Sequence, residues 1–263
     1  MSMKISRRLC TLLTLLGMVA SPVWAKDWSS VRIGSEGAYP PFNFFNASGE
    51  LVGFDIEIGQ ALCARMAVDC TFVAQDWDGM IPALLSGKYD VILASMSITE
   101  ERKQQVAFTD PYYKAALTFA GPADSTLTDF SPAALEGLAI GALSASTQAE
   151  FLQANYPESD VRLYRSQDEV NLDLASGRLD LQVSDLLPML DWVTNSEDGK
   201  CCKLVGEPIM DPQYAGEGTG MAIRQEDQEL RQKLNDALAA IIADGTYQAI
   251  NAKYFPINIY EMK

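Results

Sequence analysis

The 263-residue chain contains no histidine. That absence removes the commonest general base and every Ser–His or Cys–His nucleophile pair, so any catalysis would have to run on Asp, Glu or Lys alone. Positive charge is also scarce, with 20 Lys and Arg against 35 Asp and Glu. Such a balance repels nucleic acid and anionic membrane surfaces and mildly favours cationic solutes. Cysteine is sparse, five in all, and without histidine the spacing fits no common zinc site, so no metal is expected. Long hydrophobic runs are missing beyond the N-terminus, where no stretch approaches the ~20 apolar residues that span a bilayer.

What is present begins with a basic start (Lys4, Arg7, Arg8), an apolar run from Leu9 to Ala20, and small residues at Val23 and Ala25. This reads as a secretory signal peptide over 1–25, its apolar core being too short for a membrane span. Cys10 leaves with it and sits at the very start of the apolar run rather than at the cleavage point, which argues against a lipid anchor. The remaining chain is expected to be soluble and exported, with 17 basic residues against 35 acidic ones. Export makes disulfides plausible. Cys63 and Cys70 fit a helix end and the strand after it, close enough for a local bridge. Adjacent Cys201 and Cys202 leave a vicinal disulfide, two free thiols and intermolecular pairing all open.

Strand and helix patterns then alternate. VRIGSE, CTFVA and YDVILAS read as strands, GFDIEIGQALCARM as a helix with Ile58, Leu62 and Met66 on one face, and DGMIPALLSG as a second helix closing on Gly87. A second set follows DPYYKAALTFAGP: strands LAIGAL, VRLYR and LDLQVS, and helices TQAEFLQAN and SQDEVNLDLASG. Each of these helices opens with a capping-box pattern, Thr147 with Glu150 and Ser166 with Glu169. GMAIRQ reads as a strand, and EDQELRQKLNDALAAIIADG and TYQAINAKYF as the closing helices. This rhythm predicts an α/β fold with sheets covered on both faces.

Ligands in open α/β sheets sit beyond the carboxyl ends of strands. Glu36 follows VRIGS, Ser95 to Arg102 follow VILA, Ser146 and Thr147 follow LAIGAL, and Asp185 follows LDLQVS. The run SMSITEER places hydroxyls at Ser95 and Ser97 near an arginine, one turn into a helix start marked by Thr99 and two acids. Hydroxyls beside a guanidinium suit a small zwitterion, since arginine's planar fork can hold both oxygens of a carboxylate. Asp185 could instead cap the helix DLLPMLDWV, and Asp55 and Asp78 read as structural.

The blocks AYPPFNF, GFDIEIGQALC, WDGMIPAL, YDVILASMSITEER, FTDPYY, STQAE, SGRLD, GEGTGMAIR and DGTYQAINAKYF cover nearly all of the chain beyond residue 25. In that order they resemble the periplasmic polar-amino-acid-binding proteins of ABC importers, solute-binding protein family 3. The nearest likeness is to the lysine/arginine/ornithine- and histidine-binding members. The resemblance implies a type II periplasmic binding fold: two α/β lobes joined by two hinge strands, with lobe 1 at 26–114 plus 215–263 and lobe 2 at 115–214. It implies a Cys63–Cys70 disulfide and offers no counterpart for Cys201 and Cys202. It also implies a monomer that delivers an amino acid to an inner-membrane permease and its ATPase, with no cofactor.

Carried over residue by residue, the resemblance makes Arg102, Thr147 and the Ser146 amide a carboxylate clamp. Asp185, Ser95 and Ser97 become the receptor for an α-ammonium. Glu36, Tyr39, Trp77 and Leu143 line the side-chain end, where an acid and two aromatic walls suit a cationic side chain. Two departures bear on that end: Ala94 replaces a serine, and Ala145 replaces a glycine in the loop before Ser146. The rival readings are a dehydratase-like enzyme on the same fold, or a ligand sensor for a signalling receptor.

Overall fold

The computed structural model describes residues 26–262, so the expected signal peptide, with Cys10, lies outside the described residues. Apolar β-branched runs assemble two five-stranded sheets. The first runs, in spatial order, Asp69–Ala74, Ser30–Ser35, Val91–Ile92, Ala222–Ile223, Ala107–Phe108. The second runs Asp160–Tyr164, Ala139–Leu143, Leu181–Asp185, Leu117–Pro122, Cys202–Ile209. In each sheet three parallel strands form one side and antiparallel strands complete the other. Helices pack on both sheets, giving two α/β lobes that face each other across a cleft. Among the described residues no helix is long and apolar enough to cross a membrane.

The chain passes between the sheets twice, and the two passages lie side by side. Tyr112 N donates to the Thr219 carbonyl at 2.8 Å and Thr219 N donates to the Tyr113 carbonyl at 2.9 Å. Gly216 and Gly218 make this possible, with φ of 73° and 123°. A Cβ on Gly216 would lie 2.6 Å from the Ile98 carbonyl oxygen, so only glycine lets the returning chain rest against the segment that carries Ser97 and Thr99. The Phe42 and Tyr113 rings stack at 4.8 Å, tying this passage to the small sheet Ala38–Tyr39, Asn43–Phe45, Leu51–Val52 that presents Tyr39.

Helix Phe54–Met66 buries Ile58 and Leu62 and half-buries Met66, as its periodicity predicts. Three expectations are corrected. YDVILAS pairs as a strand only over Val91–Ile92, because Ser95 adopts a left-handed φ of 55° and turns the chain out of the sheet. Helix Thr147–Asn155 is capped by Ser146 rather than Thr147, the Ser146 Oγ accepting from Ala149 N at 3.2 Å. Strand Cys202–Ile209 escaped the sequence reading because its register breaks between Val205 and Ile209, where Gly206 and Pro208 read as a turn. The Cys63 and Cys70 sulfurs are bonded, joining helix end to strand, and Cys201 and Cys202 are bonded to each other at a corner of the second lobe.

On the flank of the first lobe lies a buried ion network. Arg224 donates to Asp90 at 2.8 Å, to Asp227 at 2.7 Å, and to the carbonyls of Leu84 and Tyr89 at 3.0 and 2.7 Å. Arg32 adds a second cation to Asp90 at 2.9 Å. Burial alone would raise the Asp90 carboxyl, but the bonds from Arg32 and Arg224 bring it down to about 2.

Candidate functional site

Strand ends and helix starts of both lobes converge on one cavity. Nine of the ten expected ligand residues line it: Glu36, Tyr39, Trp77, Ser95, Ser97 and Arg102 from the first lobe, and Leu143, Thr147 and Asp185 from the second. Ser146 stands just behind, its hydroxyl donating to the Leu143 carbonyl at 2.5 Å while it caps the following helix. The cap leaves the first amides of Thr147–Asn155 and the positive end of its dipole facing the cavity.

Arg102 is held from two sides. Thr99 Oγ1 accepts from its backbone N at 3.3 Å, starting the one-turn helix Glu100–Lys103, and Arg102 Nη1 donates to the Ser97 carbonyl at 3.0 Å. Its guanidinium lies 5.4 Å from the Trp77 ring centroid, within cation–π reach. The side chain is buried, and burial lowers its pKa despite the raising charges of Glu150, Asp185 and Glu101. Among the described residues it forms no ion pair.

Ser95 is placed by a residue the sequence reading assigned to structure. Fully buried Asp55 accepts from Tyr112 OH at 2.7 Å, Asn43 Nδ2 at 2.9 Å and Ser95 Oγ at 3.0 Å. Burial raises the Asp55 carboxyl to about 6 against those three bonds. With its proton given to Asp55, the Ser95 oxygen keeps its lone pairs toward the cavity as an acceptor.

Asp185 stands at the N-cap position of helix Leu186–Asn195, yet its side chain makes no capping bond. It turns into the cavity, accepting from Tyr39 OH across the cleft at 2.7 Å and from Gln148 Nε2 at 2.7 Å. Burial raises it to about 6, opposed by these bonds and by the Arg102 charge. Gln148 was not anticipated, although it directly follows Thr147 in the STQAE block and its place beside the helix start was the available signal.

Glu36 lies at the opposite end and is only 8% exposed. It has no hydrogen bond or ion pair among the described residues, and burial, then the charges of Asp168 and Asp76, push it up to about 8. Trp77 closes this end against the second lobe, its Nε1 donating to the Ala145 carbonyl at 3.0 Å. Ala145 itself has φ of 53°, the left-handed region that glycine enters without strain, which explains why a glycine was expected there. Ala94, the other departure, lines the cavity with its methyl.

The cavity thus holds one buried guanidinium and two buried carboxyl groups, none ion-paired among the described residues. Residues 31–257 match the sequence model of the bacterial extracellular solute-binding proteins, family 3. The chain is 42% identical over 247 residues to the L-arginine-binding protein of Pseudomonas aeruginosa, covering 93% of this chain and 95% of that one. It is 38% identical over 245 residues to the histidine-binding periplasmic protein of Salmonella typhimurium, covering 92% and 93%. An ancestral arginine-binding protein bound to arginine superposes with a TM-score of 0.78 at 37% identity, covering 86% of this chain and 98% of that one. These relatives are binding proteins, and the chain belongs to family 3 of the bacterial extracellular solute-binding proteins.

Proposed function

We propose that the protein is the extracytoplasmic solute-binding subunit of an ABC importer, capturing a cationic amino acid of the arginine, ornithine or lysine class between its lobes. One observation carries the reading. Arg102, Asp185 and Glu36 present one buried guanidinium and two buried carboxyl groups without ionic partners among the described residues, the mirror image of a molecule with one carboxylate and two cationic groups. Burying an unpaired charge is costly, so Arg102 is stabilised by a carboxylate, and the raised carboxyls of Asp185 and Glu36 are ionised and stabilised by a cation.

In this reading the ligand carboxylate docks on the Arg102 fork and the amides that open the helix at Thr147, with Ser146 holding that turn. The α-ammonium lies among Asp185, Ser95 and Ser97. The side chain runs between Tyr39 and Trp77, over Leu143, to Glu36. Arg102 and Asp185 come from opposite lobes, so both ends of the ligand are satisfied only when the cleft is shut, and ligand shifts the open–closed equilibrium toward closed. The closed form is then what an inner-membrane permease, powered by its ATPase, accepts. We place the protein in the periplasm, exported by residues 1–25, as a monomer that binds rather than transforms its ligand. Its lobes are assigned as 26–114 with 215–263, and 115–214.

The test is thermal unfolding of refolded, ligand-stripped protein against arginine, ornithine, lysine, histidine, glutamine, glutamate, agmatine and 4-aminobutyrate. A specific ligand at ~1,000 times its dissociation constant adds about 4 kcal/mol and shifts the melt clearly. The expected result is a shift with arginine, ornithine or lysine and none with agmatine, which lacks the carboxylate. A shift confined to compounds without an α-ammonium sinks the assignment of Asp185 and the reading with it.

A further inference from the structure

Ser95, at the ammonium end of the cavity, and Glu36, at its far end, follow different strands of the first lobe, yet one buried carboxylate lies behind both. Asp55 Oδ2 accepts from Ser95 Oγ at 3.0 Å and from Asn43 Nδ2 at 2.9 Å. The Asn43 amide carries the chain of bonds onward. Its Oδ1 accepts from the backbone N of Gly37, the residue after Glu36, at 2.8 Å. Asn43 and Asp55 are both fully buried.

Chemistry fixes the direction of each bond. A backbone N–H only donates, so the Asn43 oxygen faces Gly37 and its NH2 group faces Asp55. Likewise Ser95 N donates to Tyr112 OH at 3.2 Å, which turns the phenol proton onto Asp55 Oδ1 at 2.7 Å. Asp55 is therefore an acceptor for all three side chains. Gly37 has φ of 85°, and a Cβ there would lie 2.6 Å from a Phe45 ring carbon. The turn that presents Glu36 thus packs on Phe45 and hangs by its amide from Asn43.

We propose that Asn43 is a positioning residue for ligand specificity: it hangs the Glu36 turn on Asp55, so that the receptors for both cationic groups of the ligand are set by one buried anchor. This deepens the cationic-amino-acid reading and rests on it. Asn43 and Asp55 act from behind the cavity wall, through Glu36 and Ser95. A common anchor fixes the separation of those two side chains, which favours a ligand whose two cationic groups match it. The competing explanation is that Asn43 only closes the small hairpin in which it pairs with Tyr39. That predicts a loss of stability, and of affinity for every ligand alike.

The experiment measures three ligands by calorimetry, at a pH above the Asp55 value of about 6. They are arginine, citrulline, which replaces the guanidinium by a neutral urea of similar shape, and desaminoarginine, which lacks the α-ammonium. Asn43→Ala is expected to lower the arginine-to-citrulline affinity ratio by about tenfold, the scale of one charge-assisted hydrogen bond, and to change the arginine-to-desaminoarginine ratio less. Asp55→Asn, close in shape to the carboxylate but unable to accept from all three donors, is expected to lower both ratios. Asn46→Ala is the control in the same small sheet, cutting the bonds Asn46 Oδ1 accepts from Ser48 N and Glu50 N, each at 2.9 Å. It is expected to lower the melting temperature and leave both ratios unchanged. An unchanged arginine-to-citrulline ratio in N43A, or an equal fall in N46A, overturns the role of Asn43 while leaving the cationic-amino-acid reading intact. A D55N protein that loses only its ammonium selectivity overturns the shared anchor, and this arm decides alone if N43A fails to fold. Failure of the wild type to prefer arginine to citrulline overturns the cationic reading itself, and the wild-type arm reports that outcome separately.

Discussion

The molecule handles buried charge in two opposite ways. On the flank of the first lobe, Arg224 places its donors on Asp90, Asp227 and two carbonyls, and Arg32 completes the set, so every charge is answered within the protein. In the cleft, among the described residues, the Arg102 guanidinium reaches only a carbonyl and the face of Trp77, the Glu36 carboxyl reaches nothing, and Asp185 receives two neutral donors. Both regions bury charged side chains and both use the same residue types. The difference teaches that burial of charge does not by itself mark a binding site, whereas burial of charge left without its opposite does.

The largest effect that separates the regions comes from removing the arginine in each. Arg224→Ala removes the buried guanidinium shared by two buried carboxylates, leaving Asp90 to Arg32 and Asp227 to the half-exposed Lys26 at 3.4 Å, and is expected to cost about 3 kcal/mol in urea unfolding, with arginine affinity of the folded protein unchanged. Arg102→Met removes a cation that has no ionic partner to strand. Ligand-free stability is expected to hold or rise, while arginine affinity falls by ~100-fold or more through loss of charge-assisted bonds. Equal losses of stability in the two variants would erase the distinction.

The next effect is on pH dependence, where the two regions respond with opposite sign. Asp90 is held down to about 2, so its network contributes stability above the ordinary aspartate range that disappears as the pH falls toward 2. Asp55 and Asp185 are raised to about 6 and Glu36 to about 8. Between the ordinary carboxylate range and those values the folded chain holds protons the unfolded chain has released, so ligand-free stability falls as pH rises through that window. A cationic ligand needs Glu36 ionised, hence arginine affinity is expected to increase with pH, by up to about tenfold per unit below 8, and to level off above it. Thermal melts with and without arginine check the first slope, and calorimetry in two buffers of different ionisation enthalpy detects the released proton. Affinity independent of pH from 6 to 8 would mean that Glu36 is not the side-chain receptor.

The smallest effect concerns how the cleft wall is held. Ala145 sits in the left-handed region, costing about 1 kcal/mol that glycine would not incur. Ala145→Gly is expected to stabilise the second lobe by a few tenths to ~1 kcal/mol, part of the gain being offset by the greater freedom of glycine when unfolded. The Trp77 bond to the residue 145 carbonyl should survive, so arginine affinity should change less than about threefold, under 0.7 kcal/mol. Destabilisation on making A145G would mean that the methyl is packed to advantage.

Much of the site was legible before any coordinates, because its residues lie where strands end, and a strand's end is marked by composition. Glu36 after VRIGS, Arg102 in SMSITEER and Asp185 after LDLQVS needed only the alternation of strand and helix to be brought to one side of a sheet. What escaped was whatever depends on a second segment. Asp55, assigned to structure, proved to fix Ser95, through partners at positions 43, 95 and 112. Gln148 carries no pattern of its own. The strand Cys202–Ile209 was hidden by Gly206 and Pro208, which signal a turn locally but are accommodated by a break in register.

The sequence alone determined the α/β rhythm, the scarcity of cationic groups, the absence of histidine and the residue types available at each strand end, since these follow from periodicity and composition. Only the tertiary structure decided which charges are answered and which are not. Pairing is a property of distance between segments far apart in the chain: Arg224 meets Asp90 across 134 positions, while Arg102, of the same chemistry, meets no carboxylate among the described residues.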